Sequence, residues 1–377
     1  MKGGAKMICT LKIKLVANEH QCSELLQTMK RFNEACNHIS KLAFDAKTFS
    51  KIKLQKLCYY DVRSEFKLPA QMVVRALGKV SESYKVEKKT LHQFKPTGAI
   101  VYDQRNLSFN GLETASILTL NGRVKIPMVF GKYHQGLIAG NRVRGQADLV
   151  LVDGVFYLML CVDVPEDPTR FTGDFLGVDL GIVNIAVDSS GQAFSGSGVN
   201  AVRNRYFKLR QKLQGKGTKS AKRLLKKRSK KERRFASNTN HVISKKIVER
   251  AKALNVGIAL EDLTGIRQRA EKTVGKQQRR AHSSWAFHQL RQYIDYKARI
   301  AGVELVFVDP RNTSRECPIC GHVAKENRKN RDEFRCCACG YAAPADNVAA
   351  TNIRGRAVCQ SAERRVAWKY RATLTSP

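Results

Sequence analysis

Apolar and polar side chains alternate over residues 8–17 (ICTLKIKLVA), which predicts a strand, because successive strand side chains point to opposite faces. From 22 to 43 the apolar positions Leu25, Met29, Phe32, Cys36, Ile39 and Ala43 recur every three or four residues and predict a helix. A second helix opens at Pro69, a favoured first-turn residue, and carries Met72, Val73, Leu77, Val80 and Tyr84 on one face. Over residues 99–164 the period returns to two. Short strands at 115–119, 123–129, 148–152 and 155–163 alternate with Asn110-Gly111, Asn121-Gly122 and Asp153-Gly154, pairs suited to two-residue hairpin turns. They predict a small antiparallel barrel or sheet that the first strand joins, with the helices inserted between its two parts. Pro165 and Pro168, flanking two acids, mark a boundary.

Beyond it, residues 175–187 (FLGVDLGIVNIAV) read as one apolar strand with Asp179 in its middle. Residues 203–234 hold sixteen Lys and Arg against one acid, Glu232, and Leu209, Leu213, Leu224 and Leu225 make them a basic helical pair. The second helix continues through Ile243, Ile247, Ala251 and Leu254. Residues 256–260 (VGIAL) form a short buried strand ending at Glu261-Asp262, and the basic stretch 267–280 is read as a loop. A helix over 284–300 turns Trp285, Leu290, Ile294 and Ala298 inward; a strand at 303–308 and a helix at 345–356 follow, then a basic tail.

Charge changes the picture. Sixty-eight Lys and Arg against thirty-two Asp and Glu give +36 over 377 residues. Such an excess repels itself in a compact chain, and phosphate is the partner that relieves it. A membrane is the rival partner, but no apolar run approaches the roughly 18–20 residues of a spanning helix, and no apolar leader follows the N-terminal Met. Eleven cysteines, an odd number scattered along the chain, suit a reducing compartment such as a prokaryotic cytosol. The expected partner is nucleic acid, with Lys226, Lys227 and Arg228 as candidate backbone contacts.

Two constellations carry chemistry. Cys317-Pro-Ile-Cys320 and Cys336-Cys-Ala-Cys339 lie fifteen residues apart, the spacing of a four-thiolate zinc ribbon that binds one structural Zn²⁺. Cys336 and Cys339 are preferred over Cys337, which would leave one residue between ligands. Three acids also stand out: Asp179 within an apolar strand, Glu261 or Asp262 at a strand end, and Asp346 at a helix start. An unpaired carboxylate in an apolar strand costs several kcal/mol, and a divalent cation offsets that cost. Strand acid, strand acid and helix acid form the pattern of an RNase H-like core, whose sites hold two Mg²⁺ about 3.5–4 Å apart. Side chains alternate along a strand, so Glu261 and Asp262 cannot both face one site. His241, His282, His288 and His322 are read as solvated, and no Ser-His-Asp or Cys-His arrangement competes.

The segments GVDLGI (177–182), ALEDLTGI (259–266), SSWAF (283–287), YKARIAGV (296–303), DPRNTSRECPICG (309–321), FRCCACGY (334–341) and ADNVAATNI (345–353) follow one another as in the TnpB family. These transposon-encoded proteins are related to type V CRISPR effectors. The resemblance covers roughly residues 175–356, and more weakly LPAQMVVRALGKV (68–80), which resembles the family's recognition helices. It implies a multidomain α+β chain. A split β-barrel wedge domain (1–18 and 96–168) encloses a helical recognition insert (19–95). An RNase H-like (RuvC) α/β nuclease domain (172–311 and 343–358) follows, with an inserted zinc ribbon (312–342) and a basic tail (359–377). It places Asp179, Glu261 and Asp346 on the three catalytic acids, which by analogy selects Glu261 over Asp262. One departure is Val348, where the family often has Asn. The implied function is a Mg²⁺-dependent, RNA-guided DNA endonuclease, in which a guide RNA from the transposon end pairs with the target strand of double-stranded DNA and the protein reads a short adjacent motif. A guided repressor without cleavage, and a transposase using the same acids for strand transfer, are the alternatives.

Overall fold

The computed structural model describes residues 6–262 and 287–374, with backbone alone for 365–374. The chain divides into two compact units, Met1–Pro165 and Glu166–Pro377. The basic stretch 267–280 and Trp285 lie outside the described residues.

The first unit begins with β1 (Lys6–Leu15), then three helices, α1 (Glu19–Asp45), α2 (Lys51–Phe66) and α3 (Ala70–Val86). Six further strands follow: β2 (Ile100–Asp103), β3 (Leu107–Asn110), β4 (Thr114–Thr119), β5 (Gly122–Val129), β6 (Arg142–Val152) and β7 (Val155–Pro165), with a short α4 (Lys132–Ile138) before β6. They form one antiparallel sheet in the order β2-β6-β7-β1-β5-β4-β3, so β1 sits at its centre although the helices separate it from the other strands. The two end strands, β2 and β3, are joined by only three residues, and Tyr102 of β2 donates its hydroxyl to the Leu118 carbonyl of β4 at 2.9 Å. The sheet therefore curls until it nearly closes.

An Asn18/Gln21 capping box starts α1, satisfying two backbone donors reciprocally, and Leu25, Met29, Phe32, Cys36, Ile39 and Ala43 are buried along it. The periodicity of 22–86 does not reveal α2. Its buried stripe is only Leu54, Cys58 and Val62, while Ile52, Leu57 and Tyr60 face solvent, so apolar residues stand all around it. The turns also differ from expectation. Asp153-Gly154 is a two-residue turn with both φ positive (56° and 80°), closed by the Val152–Val155 pair. At the second site Thr119 pairs with Gly122, so Leu120 and Asn121 make the turn. At the first, Asn110 pairs with Thr114 across a three-residue loop that opens on Gly111.

The second unit holds β8 (Phe175–Asp179), β9 (Asn184–Asp188), β10 (Ala193–Ser195), α5 (Ser197–Lys216), α6 (Lys219–Leu254), β11 (Gly257–Glu261), α7 (Phe287–Ile300) and β12 (Leu305–Val308). Two short strands, β13 (Glu333–Arg335) and β14 (Ala342–Pro344), pair beside the cysteines, and α8 (Ala345–Leu374) runs well beyond the expected end at 356. The main sheet has the order β10-β9-β8-β11-β12. Strands β8, β11 and β12 run parallel, and β9 and β10 are added antiparallel.

The single strand expected over 175–187 is in fact the hairpin β8–β9, and Asp179 ends β8 instead of standing mid-strand. The reversal passes Gly181, where a Cβ would lie 2.7 Å from the Asn184 carbonyl oxygen. Apolar Ile182 and Val183 in the turn hid it from a pattern reading. On one face of the sheet, Leu176, Val178, Ile258 and Leu260 pack against Ile243, Ile247 and Ala251 of α6 and Leu290, Ile294 and Ala298 of α7. On the other, Phe175, Ala259, Val306 and Val308 pack against Ile353 and Ala357 of α8. Each fully buried side chain of this size contributes roughly 1.5–3 kcal/mol, so both helix layers are firmly seated. α6 ends at Asn255, in the left-handed region at φ 54°, and β11 starts two residues later.

Candidate active site and metal-binding ribbon

Strand alternation decides which acids meet. Leu176 and Val178 face α6 and α7, so Phe175, Gly177 and Asp179 face α8. On β11, Ile258 and Leu260 face the same helices, so Ala259 and Glu261 face α8. The parallel register pairs Ala259 with Gly177 and Leu260 with Val178, and its continuation sets Glu261 beside Asp179. Asp262 points the other way and pairs with Arg291 of α7 at 3.0 Å. The ambiguity between Glu261 and Asp262 is thus resolved by side-chain direction.

Asp346 arrives on the first turn of α8, and a glycine brings it close. A Cβ on Gly177 would lie 2.1 Å from the Ala350 carbonyl oxygen and 2.6 Å from the Arg354 nitrogen, so α8 touches β8 backbone to backbone. Ala350 is one turn after Asp346, and Gly177 is two residues before Asp179. The same crossing therefore carries both acids toward one spot. Arg354 grips Asp174 with two hydrogen bonds, of 2.9 and 2.7 Å, and fixes the helix along the strand.

Each carboxylate has a protein environment of its own. Burial, and then the neighbouring Glu261 and Asp346 carboxylates, push Asp179 up to about 7, against Arg328 and the Leu180 backbone N–H. Burial also raises Glu261, opposed by the Thr313 hydroxyl, which donates to its Oε1 at 2.5 Å, and by Arg356. Asn184, the first residue of β9, donates to Asp346 Oδ2 at 2.9 Å. Three half-buried hard-oxygen acids, two of which raise the third, suit a divalent cation, which relieves that repulsion. Asn184, Thr313 and Gly177 escaped the sequence reading, because a polar residue in a turn and a glycine in a strand carry no signal until their partners are known.

The ribbon is built from two matched knuckles. Gly321 (φ 72°) and Gly340 (φ 77°) each follow a CxxC pair and donate back to Cys317 O at 2.9 Å and Cys336 O at 3.0 Å. The Sγ atoms of Cys317 and Cys339, and of Cys320 and Cys336, are 3.6 Å apart, and all four lie within 4.8 Å of one another. Tetrahedral Zn–S bonds of about 2.3 Å require sulfurs about 3.8 Å apart, so the set fits zinc. Among the described residues this is the one such cluster of cysteine, histidine and acid side chains found to suit a metal ion. Cys337 points elsewhere, with its Sγ 3.3 Å from His322 Nε2. Val348, the departure noted above, is buried with Cys317, Phe334, Cys336 and Ala345, where it ties the first turn of α8 to the base of the ribbon.

Lys226, Lys227 and Arg228 do not join this centre. They lie on α6, fifteen to seventeen residues before its first apolar core contact at Ile243, about 22–26 Å along the helix. Lys226 and Lys227 are exposed, and Arg228 lines a crevice against α5 with Tyr206 and Arg210. Glu232, the lone acid of that stretch, is paired with Arg210 at 3.0 Å. Among the described histidines, His241 is exposed yet stacks on Tyr293 at 3.9 Å, and His288 and His322 face solvent. No helix of the described residues is long and apolar enough to cross a membrane.

Residues 159–267 match the OrfB_IS605 family model, described as "Probable transposase", and residues 287–353 match the "Cas12f1-like, TNB domain" model. The CRISPR-associated endodeoxyribonuclease Cas12f1 of Sulfoacidibacillus thermotolerans is 39% identical over 32% of this chain and 26% of its own length. The TnpB-like protein of Methanocaldococcus jannaschii is 36% identical over 39% of this chain and 51% of its own length. The matched region thus spans between about a quarter and a half of these relatives. InsQ of Escherichia coli (strain K12), whose name carries the words RNA-guided DNA endonuclease, is 25% identical over 76% of this chain and 73% of its own length. A cryo-EM structure of a Cas12f1–sgRNA–target DNA complex superposes with a TM-score of 0.63 at 13% identity, covering 93% of this chain and 99% of that one, so the fold is shared. With a nearly closed antiparallel sheet, a mixed α/β sheet and a four-cysteine knuckle pair in that order along one polypeptide, the chain is similar in sequence to TnpB-like and Cas12f1 proteins and shares the Cas12f1 fold.

Proposed function

We propose that this protein is an RNA-guided DNA endonuclease that hydrolyses phosphodiester bonds at Asp179, Glu261 and Asp346. The observation that carries the proposal is the meeting of three acids from β8, β11 and α8, with Asp179 pushed up to about 7 by burial and by the other two. A central strand flanked by an antiparallel hairpin on one side and parallel strands on the other suits the RNase H-like (RuvC) core expected from the sequence. When bound, two Mg²⁺ ions held by these carboxylates supply the Lewis acidity that activates water and neutralises the leaving oxygen. The chain's own part is to hold the acids: Asn184 orients Asp346, and Gly177 sets the depth of α8. One Zn²⁺ on Cys317, Cys320, Cys336 and Cys339 has a structural role, fixing where α8 begins. The first unit is assigned as the wedge sheet with its recognition insert.

The +36 charge supports partners rich in phosphate, a guide RNA and double-stranded target DNA, with Lys226, Lys227 and Arg228 on their backbones. The names of the relatives support the same assignment. The test is to purify the chain with co-expressed RNA, sequence that RNA, and assay matched double-stranded targets in Mg²⁺. Asp179→Ala and Glu261→Ala are expected to lose cleavage by at least about a hundredfold while still binding RNA and DNA. Full cutting by both variants would overturn the site. The matched transposase model favours a second reading, strand transfer by the same acids, for which joined rather than hydrolysed ends are the diagnostic product.

A further inference from the structure

The assignment of the three acids leaves one buried polar network unexplained. Residues 309–316, leading from β12 into the ribbon, touch both of the later acid-bearing elements. Thr313 is 3% exposed, and its single hydroxyl proton has two acceptors, Glu261 Oε1 at 2.5 Å and Pro310 O at 3.2 Å. The shorter, charge-assisted bond to the carboxylate is the stronger of the two. Thr313 is itself held. Its carbonyl accepts from Asn352 Nδ2 at 2.7 Å, and the same amide donates to Glu316 O at 2.8 Å. One turn further along α8, the Arg356 guanidinium donates to Asp309 O at 2.7 Å and Arg311 O at 2.6 Å and pairs with the Glu316 carboxylate. Two side chains of α8 therefore grip four backbone carbonyls of one loop, and that loop grips Glu261.

We infer that Thr313 is a positioning residue for Glu261, and that Asn352 and Arg356 make the loop a rigid link that sets Glu261 and Asp346 as one unit, a role that rests on both acids being metal-binding carboxylates. Glutamate has three rotatable bonds. A hydroxyl clamped on one carboxylate oxygen fixes its plane and leaves the other oxygen free for a ligand. Without the clamp the two acids, on separate elements more than eighty residues apart in sequence, lose their common reference. Partners behind a ligating group commonly govern cation affinity by about 10–100-fold.

The test is a Mn²⁺ titration of the full, RNA-free chain followed by electron paramagnetic resonance, beside the Mg²⁺ dependence of single-turnover cleavage by the RNA-loaded chain. Thr313→Val keeps the branched shape and removes the hydroxyl. It is expected to weaken Mn²⁺ binding about tenfold and to raise the Mg²⁺ needed for half-maximal cleavage by a similar factor, while Thr313→Ser stays within about threefold of the parent. Thr313→Val matching the parent, or Val and Ser impaired alike, overturns the positioning role. Should Thr313→Val fail to fold, Thr313→Ala against Thr313→Ser puts the same question. Glu261→Gln separates the two levels. If it retains the parent's Mn²⁺ stoichiometry, Glu261 is not a ligand. If it loses a bound ion while Thr313→Val does not weaken binding, only the clamp is wrong.

Discussion

Gly177 of β8 and Ala350 of α8 meet so closely that a methyl group on the glycine would sit 2.1 Å from the alanine carbonyl oxygen. The obstacle is backbone, which cannot rotate away as a side chain tip can. Gly177→Ala must therefore lift α8, and Asp346 with it, away from Asp179. Overpacking of this kind costs about 1–3 kcal/mol. Chemical denaturation is expected to show that loss, and cleavage is expected to fall further than the stability change explains. A variant that cuts like the parent would mean that the depth of α8 does not matter to the chemistry.

The ribbon makes a separate prediction. Elemental analysis of the purified chain is expected to find one zinc, lost in Cys317→Ser together with folded yield. Cys337→Ser is expected to keep it, because that thiol points to His322 and Asn327. Equal zinc in all three proteins would refute the four-cysteine site.

A pH dependence follows from Asp179. Its folded value of about 7 lies above the ordinary carboxylate value near 3.9, so the folded protein holds an extra proton between those limits. For this group, stability is full below about pH 4 and is lost as the pH rises through 7. In EDTA, the melting temperature of the parent is expected to decline from pH 5 to pH 8 more steeply than that of Asp179→Asn. Added Mg²⁺ at pH 8 is expected to raise the parent more than the variant. Parallel curves for the two proteins would contradict the proton count.

Salt reports on the basic hairpin. Replacing Lys226, Lys227 and Arg228 by alanine removes three charges. If each meets a phosphate, the slope of log affinity against log salt shallows by about 2–3. An unchanged slope across a series of salt concentrations would place the contacts elsewhere.

Much of the second unit was legible because its signals are local. Each CxxC followed by glycine is a complete knuckle in five residues, and Ile258 and Leu260 announce a strand whose next residue is an acid. What stayed hidden depended on partners distant in sequence. Asp179 was expected in the middle of a strand because Ile182 and Val183 continue the apolar run, although they lie in a turn. The choice of Glu261 over Asp262 needed the neighbouring strand and helix to give the faces a meaning. Thr313 and Asn352 read as loop and helix residues until the fold brings them together across 39 positions. In the first unit α2 was missed for the opposite reason, since apolar residues on its exposed side blur the helical period.

α6 spans 36 residues, a rod of about 54 Å. Its far half is packed into the sheet, its near half carries the basic cluster, and only Asn255 and Val256 separate its end from β11. A two-residue joint has little slack, so the seating of α6 on the sheet and the start of β11, the strand that ends in Glu261, are fixed together.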